Sequence, residues 1–169
     1  MLTVRDEEPG DHDAVFAVEE AAFGRPEEAR LVDSLRGSVA PALSLVAERD
    51  GWLVGHAFFS PVTIEGPRPG PPAGALGPIG VDPARQRDGI GSALVCAGLA
   101  HAPTLGWRVI FLLGSPDYYA RFGFTLAAPR GLRYESPAFD AGFQVLELAA
   151  GALDGVTGFV RYPSAFAEV

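Results

Sequence analysis

The sequence predicts a mixed α/β (α+β) domain, one central sheet with helices laid over it, on three observations. Candidate elements follow one another as strand, helix, helix, three strands, helix, strand, helix, strand, an order that packs as helices on a sheet. Apolar residues are 48% of the chain and charged residues 20%, enough apolar surface for a core and too few charges for a disordered tail or a coiled coil. At 169 residues about 68–70% of the unfolded surface can be buried around one core, so residues 1–169 are expected to form a single domain.

Leu2 to Arg5 reads as a strand, followed by a helix whose first-turn amides Asp11 can cap. Val15, Val18 and Ala22 recur at helical spacing, with Glu19 and Glu20 set opposite, and Gly24 and Pro26 end the helix. Glu27 to Arg36 reads as a second helix, its acids in the first turn matching the dipole. Leu43 to Glu48 and Trp52 to Glu65 form a hairpin about Arg49-Asp50-Gly51, because Asp-Gly accepts the positive φ of a tight turn. The prolines between Gly66 and Gly74 make a loop, since each removes a ladder donor. Ala75 to Val81 is a strand broken at Gly77-Pro78, where proline cannot complete a ladder and glycine permits a bulge.

Gly91 to Ala102 is a helix apolar nearly all round, in which Cys96 reads as a small core residue. Trp107 to Leu113 is a buried strand, Pro116 to Arg121 a short helix and Phe143 to Ala149 a last strand. The tail aromatics Phe159, Tyr162 and Phe166 are expected to dock on the core.

The balance of 13 basic against 21 acidic residues opposes binding to phosphate backbones and anionic lipid, so neither nucleic acid nor membrane is an expected partner. The same excess of acid modestly favours a cationic amine. A single cysteine allows no internal disulfide, and no Cys/His cluster offers a metal site. Met1 to Asp11 is acidic where a signal peptide is basic, and Ile90 to Ala102 falls short of the ~20 apolar residues that span a bilayer. A cytoplasmic location is the expectation.

The sharpest chemical signal is Gln86-Arg87-Asp88-Gly89-Ile90-Gly91-Ser92, between the broken strand and the apolar helix. Glycines let backbone amides approach an anion, and those amides point with the positive end of the following helix. A dinucleotide-binding turn needs a third glycine, where this chain has Ser92, Ala93 and Leu94; a P-loop needs Gly-Lys-Ser/Thr, which is absent. A plain tight turn remains the structural alternative, and a nucleotide-binding protein a further one.

Two motifs in order sharpen the reading. Gln86-x-x-Gly89-x-Gly91 resembles the acyl-CoA pyrophosphate loop of the GNAT superfamily of N-acetyltransferases, and Tyr119-x-x-x-Gly123-Phe124 is similar to its Tyr-x-x-x-Gly-Phe. With Leu113-Gly114-Ser115-Pro116-Asp117 they most resemble its YhbS-like branch, over about residues 2 to 150, with 151–169 as a C-terminal extension. The resemblance implies a mostly antiparallel sheet splayed at its fourth and fifth strands, with acetyl-CoA as cosubstrate and no metal. It implies that main-chain groups of Ile79, Gly80 and Val81 meet the pantetheine arm, and that the amides of Gln86, Arg87, Asp88, Gly89, Ile90, Gly91 and Ser92 hold the diphosphate. Arg85 and Arg87 can add charge there.

Acetyl transfer to an amine requires an unprotonated nucleophile, a stabilised oxyanion and a proton for the departing thiolate. The family match makes Tyr119 the acid and leaves Tyr118 as a packing or cofactor-contacting residue; without the match, both tyrosines read as packing. Many relatives carry a glutamate on the bulged strand, but Ala75 to Val81 holds no carboxylate, which points to deprotonation through water. His56 and Ser60 share a strand face and are set toward the acceptor groove as other candidates, with Glu20, Glu65 and Asp117. The asparagine usual after the fifth strand is replaced by Leu112.

The reading is therefore a GNAT-fold enzyme that acetylates a primary amine, on a small molecule or a peptide, by direct attack in a ternary complex. The alternative is a catalytically silent CoA-binding sensor. Acceptor identity is assigned to the first two helices and the loops around Pro67 and Pro137, and the assembly is left open, a homodimer among the options.

Overall fold

The computed structural model describes residues 1–169. Its elements are β1 (Leu2–Asp6), α1 (His12–Phe23), α2 (Glu27–Leu35), β2 (Leu43–Arg49), β3 (Trp52–Glu65), β4 (Ala73–Val81), α3 (Ile90–His101), β5 (Val109–Leu113), α4 (Pro116–Tyr119), β6 (Thr125–Leu126), β7 (Leu132–Arg133), β8 (Phe143–Glu147) and β9 (Gly158–Arg161). The sheet runs β1-β2-β3-β4-β5-β8-β6. Every neighbouring pair on that path is antiparallel except β4 with β5. The β2–β3 turn carries positive φ at Asp50 and Gly51, as the Asp-Gly pair requires.

Alternation along the strands sorts the core onto two faces. Leu45, Ala57, Phe59, Leu76 and Ile110 face α3, which contributes Leu94 and Val95. Val46 and Phe58 point the other way, against Val15, Leu31 and Leu35 of α1 and α2. Farther along that second face Ala75, Phe111 and Val145 pack on Leu132, Leu153 and Val160 from the C-terminal half. Each large side chain so buried contributes about 1.5–3 kcal/mol relative to exposure.

The feature that shapes the site is a parting of strands. β4 pairs with β5 only from Ala73 to Leu76, opposite Val109 to Leu112. Beyond Leu76, β4 stays with β3 as far as Val81, with a register shift between Ala57 and Phe59. Gly77 sits at φ +153, a conformation few L-residues adopt, and Pro78 offers no N–H to a neighbouring strand. The break expected at Gly77-Pro78 thus opens a gap between β4 and β5.

Several expectations need correction. Asp11 does not cap α1: its carboxylate takes both Nη atoms of Arg5 at 2.7 and 3.1 Å and the Glu8 N–H at 2.7 Å, and so closes the preceding 3-10 turn. A charge-assisted fork outcompetes one helix amide. Glu19 is not on the solvent side of α1 but fully buried; with Val15, Val18 and Ala22 it completes the i, i+3, i+4, i+7 stripe that faces the sheet. Cys96 is exposed on the outer side of α3. The tail does more than dock: β9 pairs with Thr63–Glu65 of β3 and with β7, and residues Ser164–Glu168 form a 3-10 turn that places Phe166 against the α1–α2 core. Phe159 stays 38% exposed beneath the Arg161 guanidinium, while Tyr162 packs on the core.

Candidate active site

The backbone of β4 determines what the gap presents. Asp82 N–H donates to Val54 C=O at 2.9 Å, and the register pairs Gly55 with Val81, His56 with Gly80 and Ala57 with Ile79. Ladder bonds alternate along an antiparallel pair, so Gly80 bonds back to His56 while Ile79 and Val81 turn their N–H and C=O groups away from β3. They face the space that β5 has left.

At the end of β4 the chain makes a 3-10 turn, Pro83–Arg85, whose Asp82 side chain accepts the Ala84 N–H at 3.0 Å. It then enters α3 through Gly89, at φ +79. The first α3 bond runs from Ala93 N–H to Gly89 C=O at 3.0 Å, and no amide from Gln86 to Ser92 donates to an oxygen of this chain. These amides sit at the positive end of the helix, the arrangement that binds anions. A cavity of about 480 Å³ opens over them, bounded by Gln86, Arg87, Gly91, Ser92, Tyr118 and Arg121. A Cβ on Gly91 would lie 3.2 Å from the Tyr118 hydroxyl, inside the approach to the amides.

Arg121 is a functional candidate to which its place in the Tyr-x-x-x-Gly-Phe motif assigned no role. Its guanidinium lies 4.3 Å over the Tyr118 ring, and its Nε donates to the Tyr118 carbonyl at 2.9 Å, which fixes a positive charge beside the free amides. Arg87, at φ +72, lines the same cavity, whereas Arg85 does not. The Asp88 carboxylate pairs with Arg49 at 3.6 Å, so only its amide joins the run.

A second cavity of about 250 Å³ adjoins the first, sharing Val81, Gln86, Gly91 and Tyr118 with it and adding Ile79, Gly80 and Tyr119. Tyr118 bonds to Ser92 Oγ at 3.1 Å, tying α4 to the mouth of α3. Tyr119 packs edge-on to Tyr118 and Phe124, and burial pushes its phenol up to about 12. It is therefore a protonated donor throughout the neutral range. The structure brings all the cofactor-side candidates and Tyr119 to one cleft, apart from the Asp88 side chain.

The candidate bases fare differently. His56 and Ser60 do share a face, but α1, α2 and the tail cover it, and both are 0% exposed. His56 Nδ1 contacts Glu19 Oε1 at 3.0 Å and its Nε2 contacts Ser44 Oγ at 2.8 Å, so the ring is spent inside the core. Burial pushes the Glu19 carboxyl up while the His56 ring holds it back. Glu19 presses on β4 at Gly80, where an added Cβ would come within 2.9 Å of its carboxylate. Glu20 and Asp117 are exposed, and Glu65 pairs with Arg161 at the far end of β3. No carboxylate from the candidate set enters the cleft.

On the other side of the gap lies a third cavity, about 300 Å³, between the α1–α2 pair, Gly77-Pro78 and the tail. Pro67 and Pro137 take no part in it; the tail residues Tyr162 and Phe166 stand where those loops were expected. No group of three or more His, Cys, Asp or Glu is placed to hold a metal ion, and no helix is long and apolar enough to cross a membrane.

Comparison with known proteins agrees with this geometry. Residues 3–127 match the family described as acetyltransferase (GNAT) domain. The chain is 37% identical over 166 residues to the uncharacterized N-acetyltransferase YhbS of Escherichia coli strain K12, covering 98% of each protein. A crystal structure of Escherichia coli YhbS in complex with CoA superposes with a TM-score of 0.90, covering 98% of this chain and 92% of that one. A GNAT family acetyltransferase from Brucella melitensis in complex with acetyl-CoA superposes at 0.79 with 38% identity, covering 98% of both chains.

Proposed function

The chain belongs to the GNAT acetyltransferase family, and on that premise we propose that it transfers an acetyl group from acetyl-CoA to a primary amine by direct attack within a ternary complex. The observation that carries the reading is the unbroken run of unbonded amides from Gln86 to Ser92 at the mouth of α3, next to the outward-turned edge of β4.

The residues fit the cosubstrate. The amide run and Arg121 suit a diphosphate, and Gly91 leaves the floor open to it. Ile79 and Val81 offer a strand edge that an amide-bearing pantetheine arm can extend. Bound there, acetyl-CoA supplies the activated acyl carbon. Tyr119 acts at a single point: as the amine nitrogen bonds to that carbon and the carbon–sulfur bond breaks, its hydroxyl gives the departing sulfur a proton. With its phenol near 12, Tyr119 loses that proton only in strongly alkaline solution. The amine gives up its own proton to water, since none of the carboxylates weighed as bases enters the cleft.

That lack of a base motivates the second reading, a CoA-binding module without turnover. Melting temperature and thiol release, measured together, separate the two. Saturation at about 100 times Kd contributes about 2.7 kcal/mol, or roughly 5–10 °C for a domain of this size. Acetyl-CoA is expected to produce that rise, and free thiol to appear only when an amine is added. A shift without thiol on any amine supports the silent module; no shift with CoA or acetyl-CoA ends both.

A further inference from the structure

We infer that the tail-side cavity receives an apolar acyl chain, so that the donors of this enzyme extend beyond acetyl-CoA to CoA thioesters of longer apolar acyl groups. This rests on the acetyl-transfer reading and widens the donor class of the same site.

The three cavities follow β4 in order. Val81 lines both the one over the free amides and the one beside Tyr119; Ile79 and Gly80 line the second, and Leu76, Gly77 and Pro78 the third. The opposite bank of the gap runs the same way, from Tyr118 through Tyr119 to Leu113 at the end of β5. Phe23, at the end of α1, lines the second and the third alike. A donor with its diphosphate at α3 and its arm along the edge from Val81 to Ile79 therefore directs its acyl group toward Pro78 and Leu76.

Reach decides what that group is. From Ile79 to Leu76 a strand advances about 10 Å, well beyond the methyl of an acetyl group. The third cavity measures about 300 Å³. A cavity of about 150 Å³ lined by leucine, isoleucine and phenylalanine holds benzene, so an acyl group of about six carbons has room here.

The lining suits such a chain. Apart from Glu28 and Gly77, every residue around the cavity is apolar or aromatic, Leu31, Leu76, Leu113 and Phe166 among them. Glu28 is the only charged side chain, and both its oxygens are taken by Nε and Nη2 of Arg25. Phe23 is 42% exposed and Leu113 47%, which leaves apolar surface in water for a chain to cover. A methylene chain asks for no hydrogen bond. Amines arrive as ammonium ions, and one lodged here gives up water without a free carboxylate side chain in return. The cavity that α1 and α2 help to form was expected to receive the acceptor; its lining fits the donor's chain instead.

The chemistry is that of acetyl transfer. The amine nitrogen bonds to the acyl carbonyl carbon and the carbon–sulfur bond breaks. Tyr119 gives its proton to sulfur, the amine releases one to water, and the phenol is reprotonated from solvent, leaving an N-acyl amide and CoA thiol.

Calorimetry on the intact chain with acetyl-CoA and hexanoyl-CoA tests the assignment. Each methylene fully buried is worth up to about fourfold in affinity, so hexanoyl-CoA is expected to bind at least about tenfold tighter. Its heat-capacity change should be the more negative, the marker of apolar burial. Leu113→Glu places a charge at the exposed rim of the cavity, where the fold tolerates it; the advantage of hexanoyl-CoA should disappear while acetyl-CoA affinity stays within about twofold. Equal affinities in the parent chain, or an advantage that survives Leu113→Glu, overturn the inference and return the cavity to the acceptor. With both thioesters supplied together to a panel of primary amines, mass spectrometry should find the N-hexanoyl product in excess; an excess of N-acetyl product also overturns it. If acetyl-CoA binds and hexanoyl-CoA binds no better, the acyl-chain assignment falls alone; if neither thioester binds, the acetyl-transfer reading falls with it.

Discussion

The mouth of α3 and the tail-side cavity open on the same gap, yet they are made of different material. The first is backbone: amides of one continuous stretch, Gln86 to Ser92, shaped by Gly89 and Gly91 and backed by the dipole of one helix. The second is side chain, with Phe23, Leu31, Pro78, Tyr134, Tyr162 and Phe166 converging from distant parts of the sequence. Backbone amides are the same in every protein, so the first surface suits a partner that does not vary. Side chains can be exchanged one at a time, so the second suits whatever part of the substrates is particular to this protein. Between them stands Tyr119, the acid of the proposed reaction, with a phenol that burial keeps protonated.

Substitutions can break or sharpen this division. The largest effect is expected at the junction: Tyr119→Phe should lower kcat about 10²–10⁴-fold, the range of a lost general acid, with the KM for acetyl-CoA within about twofold. Equal loss in affinity and rate would place Tyr119 in cofactor binding instead. Next is Gly91→Leu, whose side chain projects toward Tyr118 across the free amides. Calorimetry should show acetyl-CoA affinity reduced about 100-fold, which is about 2.7 kcal/mol, with circular dichroism unchanged; a small effect would move the anion site away from α3.

A smaller effect concerns Glu19, the buried carboxyl beneath Gly80. Its folded pKa lies above the unfolded value, so the native state holds the extra proton. The contribution of protonated Glu19 is therefore complete below the unfolded value of about 4.3 and declines as pH rises toward the folded value, by at most about 1.4 kcal/mol per pH unit. Glu19→Gln keeps the His56 contact without titrating, so in urea melts its stability relative to the parent should rise with pH from about 4.5. A difference that stays flat would mean that Glu19 does not take up its proton on folding. The smallest effect is at Cys96: exposed on α3 and apart from both cavities, Cys96→Ser should change stability by no more than about 0.5 kcal/mol and leave the rate as it was.

Legibility in the sequence followed the same division. The turn at Asp50-Gly51, the break at Gly77-Pro78 and the glycine-led start of α3 were readable because each depends on the φ preferences of adjacent residues. Glu19 does carry a local signal of its burial, since its spacing from Val15, Val18 and Ala22 puts it on the buried stripe, but a carboxylate there reads at first as solvent-facing. Nothing local announced its partner His56, since that contact joins α1 to β3. Asp11 fits an N-cap by type and sequence place, and only the arrival of Arg5 from β1 turns its carboxylate elsewhere. Cys96 was hard to place because α3 is apolar nearly all round, which hides which side meets solvent.

What the sequence determined by itself is the order of elements, the hairpin, and a glycine-bounded row of amides at a helix start, because those features arise from residues bonded next to one another. Tertiary structure alone decided that β9 adds to β3, that His56 is enclosed with Glu19, and that Tyr162 and Phe166 close a cavity begun by α1 and α2. The physical reason is that such contacts form only when apolar faces far apart in the chain are buried against each other. Burial rewards area removed from water without fixing in advance which faces meet.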